Sequence, residues 1–286
     1  MKTMKILNFI ILFGVVVSNQ TNAQILSPDP LGPEDDGIVK RSNMHHNASN
    51  VEEPFKYSYL HEDDILWSER HWERIELKEK INFPLKYPLD SLPDRLSLYQ
   101  VLYNAIFAEG TIQTTYGDEY FLVPQTPEET KGKIVYYPTQ ISADGLRVDT
   151  IDEIPTTPRD IVSYQIKSDW YFDKKRGELK NRIIAIAPEA VNRTSKEREP
   201  LFWIYFPDAR IAMSRAVAFN EKNYKQRLTF DQIMHLRKFS STIIKVDNVY
   251  GRTIEEYNRN RSMNQLLEAA RLKEDLRNKE HDMWTY

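Results

Sequence analysis

Apolar residues recur along this chain with two different periods, and the change of period divides it. In SLYQVLYNAIFAEG, Leu98, Val101, Leu102, Ala105 and Ile106 stand at helical spacing, and Gly110 follows as a natural C-cap. TIQTTYGDEYFLV, next, predicts two short strands across Gly117-Asp118. KIVYY (133–137), IVSYQIK (161–167), DWYFD (169–173), NRIIAIA (181–187) and PLFWIYFP (200–207) continue as β-branched and aromatic runs, with DKKRGE as a turn between two of them. After Pro207 the period returns to helical in DARIAMSRAVAFN and TFDQIMHLRKF, the second opened by Thr229 and Gln232 at capping-box spacing. STIIKVDNVY predicts a last strand. From about Arg252 a charged helix carries a narrow stripe of Leu266, Ala269, Leu272, Leu276 and Met283. No fixed-period repeat is present. This order predicts an α+β fold: a mixed or antiparallel sheet of short strands flanked by helices, with a charged C-terminal helix.

DDILWSERHWERIELKEKINFPL (63–85) is harder to place, because two tryptophans five apart sit among charges. Asp63 or Asp64 is a fair N-cap, and the stretch from 63 to 75 is expected to be a helix. At 100° per residue Ile65, Trp72 and Ile75 share a face, while Trp67 lies about 140° from Trp72. Either both indoles are buried in one large domain, or the helix has one core ring and one ring facing a partner. Trp67, Arg70, Trp72 and Arg74 are therefore the partner-binding candidates, since Trp and Arg dominate interface hot spots. NFPLKYPLDSLPD ends the element with three prolines.

The first 23 residues read as a signal peptide: cationic MKTMK, apolar ILNFIILFGVVV and the small-residue site TNA, with cleavage before Gln24. About twelve apolar residues are too few to span a bilayer. Export follows, and with no Cys in the sequence there is no lipobox for a lipid anchor, no disulfide and no thiolate chemistry. Residues 24–58, mixing SPDPLGPEDDG with SNMHHNASNVEEP, read as a flexible N-terminal arm. Residues 59–250 form the core domain and 251–286 the C-terminal helical segment. Removing Lys2 and Lys5 leaves 37 basic against 42 acidic residues, a mature charge of −5 with no basic stripe, which disfavours nucleic acid as a partner.

Catalytic motifs are missing: there is no GxGxxG, GxxxxGK[ST], HExxH or GxSxG. Asp169 and Asp173, around WYF, are the best acid pair and have a glycosidase-like composition, but Asp173 is better placed to cap the DKKRG turn. His45-His46 read as a solvated pair, His235 as a packed or surface imidazole, and His61 with Asp63-Asp64 as a helix start rather than a metal site. No cofactor, no metal and no catalytic residue is assigned.

Four pieces in order carry a resemblance: DDILWSERHWERIELKEKINFPLKYP, EIPTTPRDIVSYQIKSDWYFDKKRGELKNRIIAIAP, LFWIYFPDAR and RKFSSTIIKVDNVYGRTIEEY, with EHDMWTY at the end. Together they resemble the GldN (PorN) family of gliding motility and type IX secretion proteins of Bacteroidetes. The resemblance implies a non-enzymatic periplasmic component that forms a ring with an outer-membrane lipoprotein of the GldK/PorK type and contacts a GldM/PorM-type motor protein. Neighbouring copies would be partners too. It implies association with the outer membrane through the lipoprotein and no direct anchor. The rival readings are a periplasmic polysaccharide- or peptide-processing enzyme and a peptidoglycan-binding module.

Overall fold

The computed structural model describes residues 54–286, apart from 93–94, 137–138, 142–147, 151–153, 193–195, 220–227, 259–261 and 285–286. The predicted signal peptide, His45-His46 and most of the predicted arm lie outside the described residues. One antiparallel sheet organises the rest. Its strands are β1 (Ile65–Glu76), β2 (Ile161–Asp173), β3 (Glu178–Val191), β4 (Arg198–Pro200), β5 (Ile204–Tyr205) and β6 (Thr242–Val246). They lie in the order β4–β3–β2–β1–β6, with β5 beside β4 on the same edge of β3. IVSYQIK and DWYFD, read as two runs, are one strand of 13 residues. The fold is α+β, as the alternation of periods predicts.

The expected helix over 63–75 is not formed; that stretch is β1, near the middle of the sheet. A strand alternates sides at every residue, so Trp72 and Ile75, placed together by the helical reading, face opposite ways. The charges that imitate a solvated helix are satisfied across strands instead. Arg70 lies directly opposite Asp169 and bonds it through Nε (2.6 Å) and Nη2 (2.9 Å). Arg74 bonds Glu189 of β3 at 2.9 and 3.1 Å. Nor do Asp63 and Asp64 cap a helix. They sit in a single 3-10 turn, Glu62–Asp64, where the His61 ring accepts the Asp63 N–H, and Asp64 pairs with Lys175 at 2.7 Å.

One face of the sheet carries the main core. Ile75, Tyr164, Ile166 and Ile186 pack there against α1 (Leu98–Phe107), and against two later helices, Phe206–Arg215 and Phe230–His235. α1 begins where expected, with Ser97 Oγ accepting the Gln100 N–H at 3.3 Å, and Gly110 takes a left-handed φ of +64° just beyond its end. The Thr229–Gln232 capping box is formed, and Asp173 holds its turn by accepting the N–H groups of Lys175 (3.0 Å) and Arg176 (3.3 Å). Where the sequence ends the arm, Phe55 and Tyr57 lie against the core. Asp231 accepts the Phe55 N–H, Arg210 donates to the Phe55 carbonyl, and the Arg210 guanidinium stands 4.3 Å above the Tyr57 ring. His235 stacks on Phe55 at 5.6 Å, an exposed imidazole lying on that ring; desolvation and the nearby Arg210 lower its pKa.

The last helix, Ser262–Trp284, lies along the open side of β6. Ala269 and Leu272 pack on Ile243, Val246 and Ile254, and Leu276 is buried further along, while Leu266 of the predicted stripe stays 57% exposed. Lys279 pins the far end by pairing with Glu69 at 3.1 Å and standing 4.4 Å over the Trp67 ring.

Candidate protein interface

The second face of the sheet holds a smaller apolar cluster of Trp72, Ala185, Ala187 and Trp203, joined by Tyr116, Phe121 and Ile244. A loop, residues 117–123, lies over it. Two short strands, Thr115–Tyr116 and Pro124–Gln125, hold its base, and Tyr116 exchanges backbone hydrogen bonds of 2.8 Å with Trp203. The sequence predicts two strands turning at Gly117-Asp118; the strands are present but shorter, and the turn is a full loop. Its cause is Asp118. One exposed carboxylate accepts the N–H groups of Tyr120 (3.1 Å), Leu122 (3.2 Å) and Val123 (2.9 Å), a local alternative to continuing the ladder. Desolvation pushes the Asp118 pKa up, but the three amides together outweigh it and hold the carboxyl below the usual carboxylate range.

Two buried lysines clamp the loop from the sheet. Lys167 of β2 donates to the Glu119 carbonyl at 2.8 Å, and its ammonium lies 4.9 to 5.6 Å from the rings of Tyr120, Trp72 and Phe121. Lys245 of β6 donates to Glu119 Oε1 (2.8 Å) and Tyr120 Oη (2.9 Å) and stands 4.4 Å over the Trp72 ring. Burial, reinforced by Arg70, lowers the Lys167 pKa. Burial also opposes the charge on Lys245, but the bonds to Glu119 and Tyr120 outweigh it and raise its pKa. Aromatic faces and a carboxylate together make the enclosed charges tolerable.

The clamp has an outward consequence. Phe121 is held at a left-handed φ of +61°, which turns its ring inward onto Tyr116 and Tyr205 and leaves its neighbours facing solvent. Tyr120 is 51% exposed, Leu122 78%, Val123 54% and Tyr205 41%. An ordered loop with strained backbone that presents Tyr, Leu and Val together is a preorganised contact surface. Arg70, beside Asp169 and close to Tyr120, borders it. Asp118→Ala is expected to leave the global melting temperature nearly unchanged. It should raise amide exchange at Tyr120, Leu122 and Val123 by about tenfold or more, because all three lose their acceptor. Unchanged exchange there would contradict the role given to Asp118.

The four candidates from the sequence fall in different places. Trp72 is 2% exposed and lies beneath the loop, its Nε1 without a hydrogen-bond partner among the described residues. Trp67 is half-buried under Lys279 of the last helix. Arg70 is partly exposed at the border of the loop surface, and Arg74 is tied to the buried Glu189. Tyr120, Leu122, Val123 and the two lysines were missed, because YFLV reads as strand and isolated lysines read as surface. Gly117-Asp118 was the available signal. Asp169 and Asp173 are each engaged in structural bonds: the first is held bidentate by Arg70, the second holds the turn. Among the described residues there is no group of three or more His, Cys, Asp or Glu suited to a metal, and no helix long and apolar enough to cross a membrane.

The model of one protein family, described as gliding motility associated protein GldN, matches residues 60–285. The chain belongs to the GldN family. The match spans the whole sheet, the clamped loop and the last helix, and the GldN family is one of gliding-motility components rather than a known enzyme family. No curated protein matches the chain.

Proposed function

We propose that this GldN-family protein is a non-catalytic structural component of the type IX secretion and gliding machinery, working in the periplasm after export. It would build a ring with an outer-membrane lipoprotein of the GldK/PorK type and contact the periplasmic part of a GldM/PorM-type motor protein. The observation that carries the reading is the loop surface of Tyr120, Leu122, Val123 and Tyr205, bordered by Arg70. It is rigid, apolar and outward, as a docking surface must be, and the nearest carboxylates are occupied in structural bonds. A leader that reads as a signal peptide, without a cysteine for lipidation, supports an exported chain held to the membrane by a partner.

Co-purification from detergent-solubilised cells tests it. Leu122→Asp should leave the protein abundant and folded, since Leu122 is 78% exposed. It should lower recovery of the lipoprotein partner by about tenfold or more, the size of an interface hot spot. Recovery equal to wild type would remove the loop from the interface, and recovery of neither lipoprotein nor motor protein with the wild-type chain would overturn the assembly reading. A chain that sediments with purified sacculi on its own would favour the peptidoglycan-binding module.

A further inference from the structure

Between β6 and the last helix, a second turn is built to be rigid and to stand out. Asn248 fixes it through four hydrogen bonds: Nδ2 donates to the carbonyls of Val246 and Arg252, both at 2.9 Å, and Oδ1 accepts the N–H groups of Tyr250 and Arg252, both at 3.1 Å. Gly251, at φ +62°, closes it with a 2.9 Å bond to the Asn248 carbonyl. Among the described residues nothing packs on its tip, where Val249 is 98% exposed and Tyr250 77% exposed. Beside the tip lies a groove of about 380 Å³, with Val246, Ile254 and Leu272 on its floor and Tyr250 and Tyr257 in its walls. Projection and groove therefore share one lip.

The charges at the two ends of the turn add a second observation. Asp247 and Arg252 both line the groove, and among the described residues neither is within ion-pair distance of an opposite charge, though Arg70 is near enough to Asp247 to feel its field; the Arg252 guanidinium rests over the Tyr250 ring at 4.9 Å. A surface carrying a knob, a hole, one unbridged carboxylate and one unbridged guanidinium is complementary to itself under a two-fold axis. Val249 of each copy enters the groove of the other, while Arg252 of each meets Asp247 of the other. A foreign partner of one charge sign would satisfy only half of this arrangement. We propose that the turn 247–252 and its groove are a pairing face that joins two copies of this chain. The pairing stands on these residues alone and does not depend on the secretion reading.

Sedimentation equilibrium of the purified full chain decides it. The wild type should show a concentration-dependent monomer–dimer equilibrium at micromolar levels. Val249→Asp, which puts a carboxylate into the apolar groove, should weaken it by about a hundredfold or more. Arg252→Asp should weaken it too, since it brings two carboxylates face to face, and adding Asp247→Arg should restore most of the affinity because the pair is then merely reversed. Melting temperatures should stay within about 2 °C of wild type throughout, as these side chains support no core. A wild type that stays monomeric at several hundred micromolar would overturn the proposal. So would Val249→Asp that associates normally, or a double reversal that folds and fails to recover.

Discussion

Glu73→Ala is expected to lower the melting temperature by roughly 6 to 20 °C, from a loss of about 3–5 kcal/mol at about 2–4 °C per kcal/mol for a chain of this size. Glu73 is 2% exposed in the middle of β1. Burial alone would raise its pKa, but the Arg237 guanidinium and the Ser241 hydroxyl outweigh burial and hold the carboxyl below its ordinary value. Arg237 Nη2 and Ser241 Oγ both donate to Oε2, while Ser168 Oγ and Trp170 Nε1 approach Oε1 at 3.4 Å. Removing the carboxylate strands an arginine that stands 4.8 Å from the Trp170 ring and 5.1 Å from the Phe239 ring. The sign of the pH dependence follows. A carboxyl with a depressed folded-state pKa contributes stability above its unfolded pKa and loses it as pH falls through the folded value. The wild-type advantage over Glu73→Ala should therefore be complete at neutral pH and shrink below about pH 4, the ordinary carboxylate range. Calorimetry across pH 3 to 7 measures both. A neutral-pH drop under 2 °C, or an advantage that grows in acid, would contradict the account.

The two tryptophans of β1 should fail differently. Trp72→Ala is expected to cost about 3–5 kcal/mol, because it empties the cluster with Ala185, Ala187 and Trp203 and uncovers Lys167 and Lys245. With the platform gone, amide exchange should rise across the 117–123 loop, and partner recovery should fall together with abundance. Trp67→Ala removes a half-buried ring whose described contact is Lys279, so the cost is expected near 1–2 kcal/mol, with faster exchange confined to the C-terminal third of the last helix. The helical reading assigned one ring to the core and one to a partner. On a strand the division becomes one between the loop platform and the dock of the last helix. Equal destabilisation by the two alanines, with identical exchange patterns, would show that this division is wrong.

Legibility tracked the range of the interaction. α1, the Thr229–Gln232 box and the Asp173 turn were readable because each is closed by residues two to five positions apart. β1 was not, and the reason is visible in its partners: Arg70, Glu73 and Arg74 find their counter-charges 99, 164 and 115 positions away. With those partners out of sight, WSERHWERIE has the look of a solvated helix. The last helix lies between these cases, its existence plain from the stripe and its dock on Glu69 and Trp67 dependent on a contact 210 positions away.

By itself the sequence determined the α+β class, the Thr229–Gln232 cap, the family and an exported-looking leader, since these rest on local periodicity, local hydrogen bonds and the order of short motifs. Only the tertiary structure decided that the two-tryptophan stretch is a central strand and that Trp72 is a buried platform. It also decided that two lysines far apart in the chain converge on Glu119 to hold Tyr120, Leu122 and Val123 toward solvent. A buried charge is stable only beside its partner, and which residues become partners is settled when distant strands are brought into register.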